Sequence, residues 1–386
     1  MKGLGIIGCG GRMNLIAGKL LKITDQVRVT ALCDPSEKSI GSAKKLFGSN
    51  PKVYENHRDL VKDPNVDWVA VGSWNCFHCE HIISALEAGK HVYTEKPMAM
   101  NLEECLTIKE ALERSDRKMI IGFTLRYSPH YRKIREIVKR GDIGDIISFE
   151  FNETLEFNHG GYIHGDWRRL RKNAGTHILE KCCHDLDLAN WITESIPLKV
   201  ASFGGNDFFI PENEGHVQRL GKDKNGRDAY STWPGTVEMN PFTSDKDITD
   251  NQVIIMEYAN GVRATFHTNC NSGIPERRMY ILGTEGAIRA DVLTGRIETK
   301  RVGFNTQAVD ESTGAKGGHG DGDGPLAESW RKAMLEDGSS ETPFEDGLKS
   351  VVTANAIDTA MDECRVVNLS EMWSRTGIVT RVPLCP

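Results

Sequence analysis

At 386 residues the chain is too long for one ordinary core, so two domains are expected. Its composition, 26% charged and 39% hydrophobic, is globular, and a net charge of −6 supplies no field for nucleic acid. No run of about eighteen apolar residues exists, which excludes a membrane-spanning helix. Met1-Lys2 leads straight into LGIIGCGG, which reads as structure rather than a leader, so a cytoplasmic protein is expected. The ten cysteines fall mainly in apolar or helical segments (Cys9, Cys33, Cys105, Cys182, Cys183), as reduced buried thiols do. Cys76 and Cys79 form a CxxC with His81 close by, but no second CxxC completes a zinc site, and no metal is expected.

Along the first third, LGIIGCG reads as a strand, GRMNLIAGKLLKI as a helix and VRVTALCD as a strand. SEKSIGSAKKLF is helical, DWVAVGSW a strand and CEHIISALEAGK a helix ended by glycine. HVYTEKP is a strand, NLEECLTIKEALERS a helix with Asn101 as its N-cap, and KMIIGF a strand. Apolar strands alternating with amphipathic helices predict an α/β domain over residues 1–123 with a parallel, doubly wound sheet. The pattern then changes. SPHYRKIREIVKRG is a helix, DIISFEFNETLEF a long strand, and a second helix is predicted from Thr176 to Thr193. VIIMEYANGVRATFHTN carries Asn260-Gly261 at its centre, a hairpin signal, and MYILGTEGAIRADVLTGRIETKRV continues the meander. Residues 124–386 are therefore expected to form an α+β domain with an open, predominantly antiparallel sheet. Residues 206–250 and the Gly-rich stretch 304–325 fit no element; such long loops are functional covers or disordered. The GGHGDGDG run resembles a calcium-binding repeat, but it occurs once and with the wrong spacing.

Gly8-Cys9-Gly10-Gly11-Arg12-Met13 follows the first strand and opens the first helix, the context in which a G-x-G-x-x-G fragment binds a dinucleotide. Gly8 allows the tight turn, Gly10 and Gly11 let the backbone approach a pyrophosphate, and the helix N-terminus attracts its charge. Met13 stands where a small residue normally permits close helix–strand packing. The second strand ends in Asp34, placed to accept hydrogen bonds from ribose hydroxyls and to repel a 2′-phosphate. No arginine follows Pro35-Ser36, which favours NAD over NADP, although Lys38 leaves room for the phosphate.

Glu95-Lys96-Pro97 closes an apolar strand at its carboxyl end, where open α/β sheets bind ligands. A lysine beside a nicotinamide's positive charge titrates low enough to exchange a proton near neutral pH. Pro97 restricts Lys96 to extended backbone and allows a cis peptide bond. In the second domain, GTHILEKCCHDLDLANWIT carries Glu180, His184 and Asp187 at spacings of four and three, which would put them on one helix face with His177; Lys181 lies about a quarter turn away.

The chain resembles the Gfo/Idh/MocA oxidoreductases over nearly its whole length. The likeness runs through GCGG, ALCDP, the SWNCFH turn, ALEAGKHVYTEKP, GFTLRY, DWRR, EKCCHDLD and the Asn-Gly hairpin with LGTEG. It implies an N-terminal Rossmann domain, an active site between the domains, and an open C-terminal sheet used for contacts within a homodimer or homotetramer. It makes Lys96 a proton-relay or substrate-hydroxyl partner and His184 the acid/base. Glu180 stands where the family's D-x-G-x-H-x-x-D pattern has its first Asp, Cys182 where it has Gly, and Asp187 matches its last Asp. Ser73-Trp74-Asn75 replaces the usual Thr-Pro-Asn and, with His78 and Glu95, belongs to the implied nicotinamide side of the cofactor site. His319 matches a substrate-reaching position, and Arg126, Tyr162, His164, Trp167, Arg168, His177 and Lys181 are further pocket candidates. Arg168-Arg169 reads equally as a structural pair or an anion clamp. The implied substrate is a small carbohydrate. One reading is an NAD-dependent sugar or polyol dehydrogenase. A second is a redox-neutral, NAD-dependent glycosidase that oxidises C3, eliminates the aglycone, adds water and reduces C3 again. A third is a catalytically silent, cofactor-binding sensor.

Overall fold

A computed structural model describes residues 1–336 and 338–378. The chain divides into two compact units: residues 1–128 with 321–351, and residues 129–320 with 352–386. The predicted boundary at residue 123 thus lies a few residues early, and residues 321–351, assigned by sequence to the second domain, return to the first.

The first unit is built on six parallel strands: β1 (Lys2–Ile7), β2 (Val27–Cys33), β3 (Lys52–Tyr54), β4 (Trp68–Val71), β5 (His91–Thr94) and β6 (Met119–Ile121). Their order is β3-β2-β1-β4-β5-β6. The order reverses between β1 and β4, so the connections leaving these two strands diverge and open a crevice at their carboxyl ends. Strand β3, only three residues long and half exposed, carries no apolar run and escaped the sequence reading. The helix Gly11–Ile23 buries Met13, Ile16, Ala17 and Leu20, a three-and-four spacing that lays one stripe on the sheet. Helix Leu102–Ser115 starts as predicted, with the Asn101 side chain accepting the Glu104 N–H at 2.9 Å.

The returning segment completes this core. Helix Asp323–Leu335 packs against helix Gly11–Ile23. Its Trp330 is fully buried and stacks on Tyr93 of β5, ring centroids 4.2 Å apart. Sequence pattern could not place it, because an amphipathic helix does not declare which sheet it covers.

The second unit holds a nine-stranded sheet: β7 (Ile146–Glu156), β8 (Pro197–Gly205), β9 (Asn251–Tyr258), β10 (Arg263–Ser272), β11 (Arg278–Gly283), β12 (Gly286–Asp291), β13 (Arg296–Arg301), β14 (Val309–Asp310) and β15 (Val367–Asn368). The order is β14-β13-β12-β11-β7-β10-β9-β8-β15. Only β7 and β10 pair in parallel; the other pairs are antiparallel. The β9–β10 hairpin turns at Asn260-Gly261, where Gly261 takes φ +87°, a conformation that penalises a Cβ. Ala264, Phe266, Thr268 and Cys270 face inward, and Phe266 meets Phe151 at 4.7 Å between centroids.

Two expectations change here. The helix predicted over 176–193 is interrupted: a single turn, His177–Glu180, is followed by helix Cys183–Thr193. Lys181, tied to Glu153 at 3.0 Å, and Cys182, 3.6 Å from the Thr268 hydroxyl, sit between the two. Residues 206–250 are anchored rather than loose. Phe209, Tyr230 and Phe242 form a buried aromatic cluster with Leu155 and Ile163. Asp250 accepts three successive N–H groups from Asp207, Phe208 and Phe209 at 2.8–2.9 Å, closing the first bend of the segment.

Truncating Trp330→Ala removes the ring that stacks on Tyr93 and should cost about 3–5 kcal/mol. Equilibrium denaturation checks this; a loss below about 1 kcal/mol would show that the returning helix is dispensable to the first core.

Candidate functional site

In the first unit the predicted dinucleotide loop has the required shape. Gly8 takes φ +86°, and a Cβ there would lie 2.3 Å from the Ser73 nitrogen, so no other residue fits the turn. A Cβ at Gly10 or Gly11 would meet nothing within 4 Å, which leaves open space before the helix N-terminus where N–H groups attract an anion. Met13 is accommodated by its neighbour: a Cβ on Gly72 would lie 2.8 Å from that of Met13. The small residue needed for close packing has moved from the helix to the facing loop. These features fit a dinucleotide, with Gly8, Gly10, Gly11 and Asp34 as the residues that would hold it.

Three polar ties brace the surrounding loops. Asp34 accepts the Cys9 N–H and the Ser36 N–H, both at 2.7 Å. Arg12 pairs with Glu95 at 3.2 Å and Asp323 at 2.7 Å and donates to the Thr124 hydroxyl. Glu95 also accepts from the Tyr93 hydroxyl at 2.9 Å. Arg12 and Glu95, expected to face the cofactor, are therefore spent on each other. His78 is likewise buried, with Nδ1 2.7 Å from the Pro97 carbonyl and Nε2 3.0 Å from the Ser73 carbonyl. Both partners are acceptors, so a neutral ring donates to one at a time; burial pushes its pKa down. The ring buckles the Ser73–Asn75 turn to the Lys96-Pro97 loop, whose peptide bond is cis. The Ser73 hydroxyl lies 2.9 Å from His81 Nδ1. Trp74 and Lys96 are half-buried, and Asn75 is buried. Arg126 is buried against Asp346 at 2.7 Å, an internal ion pair rather than an open pocket group. Cys76 and Cys79 are free thiols, and burial followed by Glu104 pushes Cys79 up to about 12, which makes it a poor nucleophile or ligand.

In the second unit several nominated residues converge. Arg168 donates to Glu180 at 3.1 Å, to the Tyr162 hydroxyl at 2.7 Å and to Asp166 at 3.2 Å, with its guanidinium carbon 4.3 Å from the Trp167 ring. Arg169 instead pairs with Asp245, so the two arginines separate into different clusters. Tyr162 and Asp166 also line a shallow cleft, closed on the other side by Tyr230, Trp233 and Met239. His184 is buried near the start of helix Cys183–Thr193, and its ring meets that of His319 edge to face, centroids 6.2 Å apart. Asp187 is buried one turn on.

Two histidines are corrected. His164 has no exposed surface and stacks on Phe209 at 4.4 Å within the aromatic core. His177 lies beneath the site, with Nε2 3.0 Å from the Thr268 hydroxyl. Aromatic and imidazole rings fill core space equally well, so sequence spacing alone could not separate them from site groups.

Sequence reading missed a buried charge cluster. Arg277 holds Asp185 through two bonds of 2.8 and 2.6 Å and Glu153 at 3.1 Å, and Lys181 joins Glu153. Burial pushes the Glu153 carboxyl up, but Arg277 and Lys181 outweigh it and hold it down. Glu153, Cys182 and Asp185 have metal-ligand spacing. The two carboxylates already answer to Arg277 and Lys181, so the set does not fit a cation.

The family model described as "Oxidoreductase family, NAD-binding Rossmann fold" matches residues 2–123, and that described as "Oxidoreductase family, C-terminal alpha/beta domain" matches residues 135–369. The inositol 2-dehydrogenase/D-chiro-inositol 3-dehydrogenase of Lactiplantibacillus plantarum is 27% identical over 56% of this chain and 57% of its own length. The 2,7-anhydro-N-acetylneuraminate hydratase of Escherichia coli K12 is 24% identical over 75% of this chain and 67% of its own. A levoglucosan dehydrogenase solved with NADH and levoglucosan shares the fold, with a TM-score of 0.76 at 19% identity over 96% of this chain and 98% of that one.

Asp34→Ala should weaken NADH binding about 10- to 100-fold, the value of charge-assisted hydrogen bonds. Fluorescence titration tests it, and a loss under about threefold would remove Asp34 from the cofactor site. His164 yields a pH prediction. Both ring nitrogens are buried without a hydrogen-bond partner among the described residues, and burial depresses the pKa well below 6.5. The folded ring stays neutral while an unfolded histidine takes up a proton, so its stabilising effect is complete above pH 6.5 and is lost as pH falls. From pH 6.5 to 5 that loss approaches about 2 kcal/mol. His164→Leu should therefore match the parent protein near pH 7.5 and lose less stability by pH 5; parallel denaturation curves at the two pH values decide.

Proposed function

This chain belongs to the Gfo/Idh/MocA oxidoreductase family, and on that premise we propose that it is an NAD-dependent dehydrogenase acting on a secondary hydroxyl of a sugar, glycoside or polyol. The observation that carries the reading is the loop at Gly8–Met13, open before a helix N-terminus and braced by Asp34. Bound there, NAD supplies the hydride acceptor. His184 is the proposed general base for the hydroxyl proton, and Lys96, in the first unit, the proposed proton-relay or substrate-hydroxyl partner. What supports His184 is its burial in a polar helix start and its contact with His319, which serves as a substrate ligand. Glu180, oriented by Arg168, offers an acceptor for a neighbouring hydroxyl. Homo-oligomer contact is assigned to the outward face of the large sheet, where Phe203, Val253 and Ile255 are exposed on paired strands.

One observation favours a second reading. One relative bears the name of a hydratase rather than a dehydrogenase. A redox-neutral cycle would oxidise C3, make the C2 proton acidic, expel the aglycone, add water and reduce C3 again. Glu180 is the proposed C2 base, with Arg168 paired to it at 3.1 Å.

The deciding experiment uses protein purified without added nucleotide. Absorbance from 260 to 340 nm reports carried NAD. Polyols, aldoses and aryl glycosides, with myo-inositol and levoglucosan first, are then followed at 340 nm and for aglycone release. NADH accumulating with a free polyol or sugar establishes the dehydrogenase. Aglycone release at constant 340 nm establishes the redox-neutral cycle. In either case His184→Ala should lower kcat about 10²- to 10⁴-fold while NADH affinity stays within about twofold; unchanged turnover would overturn its role.

A further inference from the structure

Arg277 stands just before β11, outside every motif in the chain, and is almost fully buried. Its guanidinium reaches in three directions. Nε and Nη2 clasp Asp185, the residue after His184, at 2.8 and 2.6 Å. Nη1 donates to the Gly318 carbonyl at 3.1 Å, one residue before His319. The same Nη1 lies 3.1 Å from Glu153 on β7, which also takes Lys181 at 3.0 Å. The backbone around it is fixed as well: its own N–H donates to Asp291 at 3.1 Å, and the loop to His319 is pinned where the Gly317 N–H meets the Val292 carbonyl at 3.0 Å. Two cations and two carboxylates make the cluster neutral, which a buried group of charges requires.

We propose that Arg277 is a positioning residue that sets His184 against His319 by clasping, with one rigid fork, the residue beside each of them. The planar fork is essential to this role. A lysine would keep the charge and could satisfy one carboxylate, but it cannot grip Asp185 at two points and hold the Gly318 carbonyl at the same time. Helix Cys183–Thr193 and the glycine-rich loop approach the same guanidinium from distant parts of the sequence, so one side chain ties both. A misplacement of about 1 Å costs on the order of 10²-fold in rate. The inference rests on the reading of His184 and His319 as the acid/base and substrate pair.

The test needs no sugar, so its failure is separable from failure of that reading, which the 340 nm assay decides. Full-length protein labelled at histidine Cε1 is titrated by NMR, with His184 and His319 signals assigned by H184Q and H319Q. In the parent protein, H319Q should move the His184 midpoint by about half a pH unit through loss of the neighbouring ring. In R277K both signals should shift, and H319Q should move His184 by less than half that amount. Signals of His78 and His81, in the other unit, should not change, which separates repositioning from general unfolding. Coupling of equal size in R277K, or none in the parent protein, overturns the proposal. If R277K does not fold, D185N is read by the same criterion, because it removes one charged anchor while leaving Arg277 paired with Glu153.

Discussion

A loop that keeps its backbone N–H groups open for a ligand cannot use them to hold itself. The first unit meets this constraint with side chains. Asp34 takes the Cys9 N–H on one flank of the glycine loop. Arg12 turns away from the open space and anchors on Glu95 and Asp323. His78 bridges the carbonyls of Ser73 and Pro97, so the loops after β4 and β5 share one clamp. The Arg12 and His78 ties occupy polar groups that sequence alone would have assigned to the cofactor. Shape before an N-terminus and charge at Asp34 then suffice to specify a dinucleotide.

The second unit solves a related problem with buried charge. The strand β7 and the helix Cys183–Thr193 present Glu153 and Asp185 to the same interior point, and two cations neutralise them. Removing one partner of such a cluster leaves uncompensated charge, so its geometry is sharply defined. The acid/base candidate is adjacent in sequence to one of these carboxylates. On the proposed positioning role of Arg277, this buried cluster would set the geometry of the site from beneath it.

Most of this architecture was legible in the residues. Alternating apolar strands and amphipathic stripes gave the doubly wound sheet, and Asn260-Gly261 gave the hairpin, because both signals are local. The glycine loop and Asp34 were legible for the same reason. Three things were not. The return of Trp330 to β5 depends on a contact with Tyr93, far away in sequence, which periodicity does not encode. The break at Lys181–Cys182 is imposed by Glu153 and Thr268, both on strands. The demotion of His164 and His177 follows from neighbours, Phe209 and Thr268, brought close only by folding. The family resemblance supplied roles for Lys96 and His184, but it could not say that Arg12 and Glu95 serve each other or that Arg277 matters.

The discontinuity of the first unit bears on how such proteins exchange parts. The chain leaves that unit after Ser128, re-enters at Asp321 and leaves again after Val351. A fragment ending at residue 128 would present the bare face of Tyr93 to water and leave the Arg12 guanidinium without its Asp323 partner. Recombination that swaps cofactor domains between relatives must therefore carry two separated stretches of coding sequence together. A single crossover near the apparent boundary would pair a sheet from one parent with a covering helix from another, and success would hinge on whether the indole and phenol still stack.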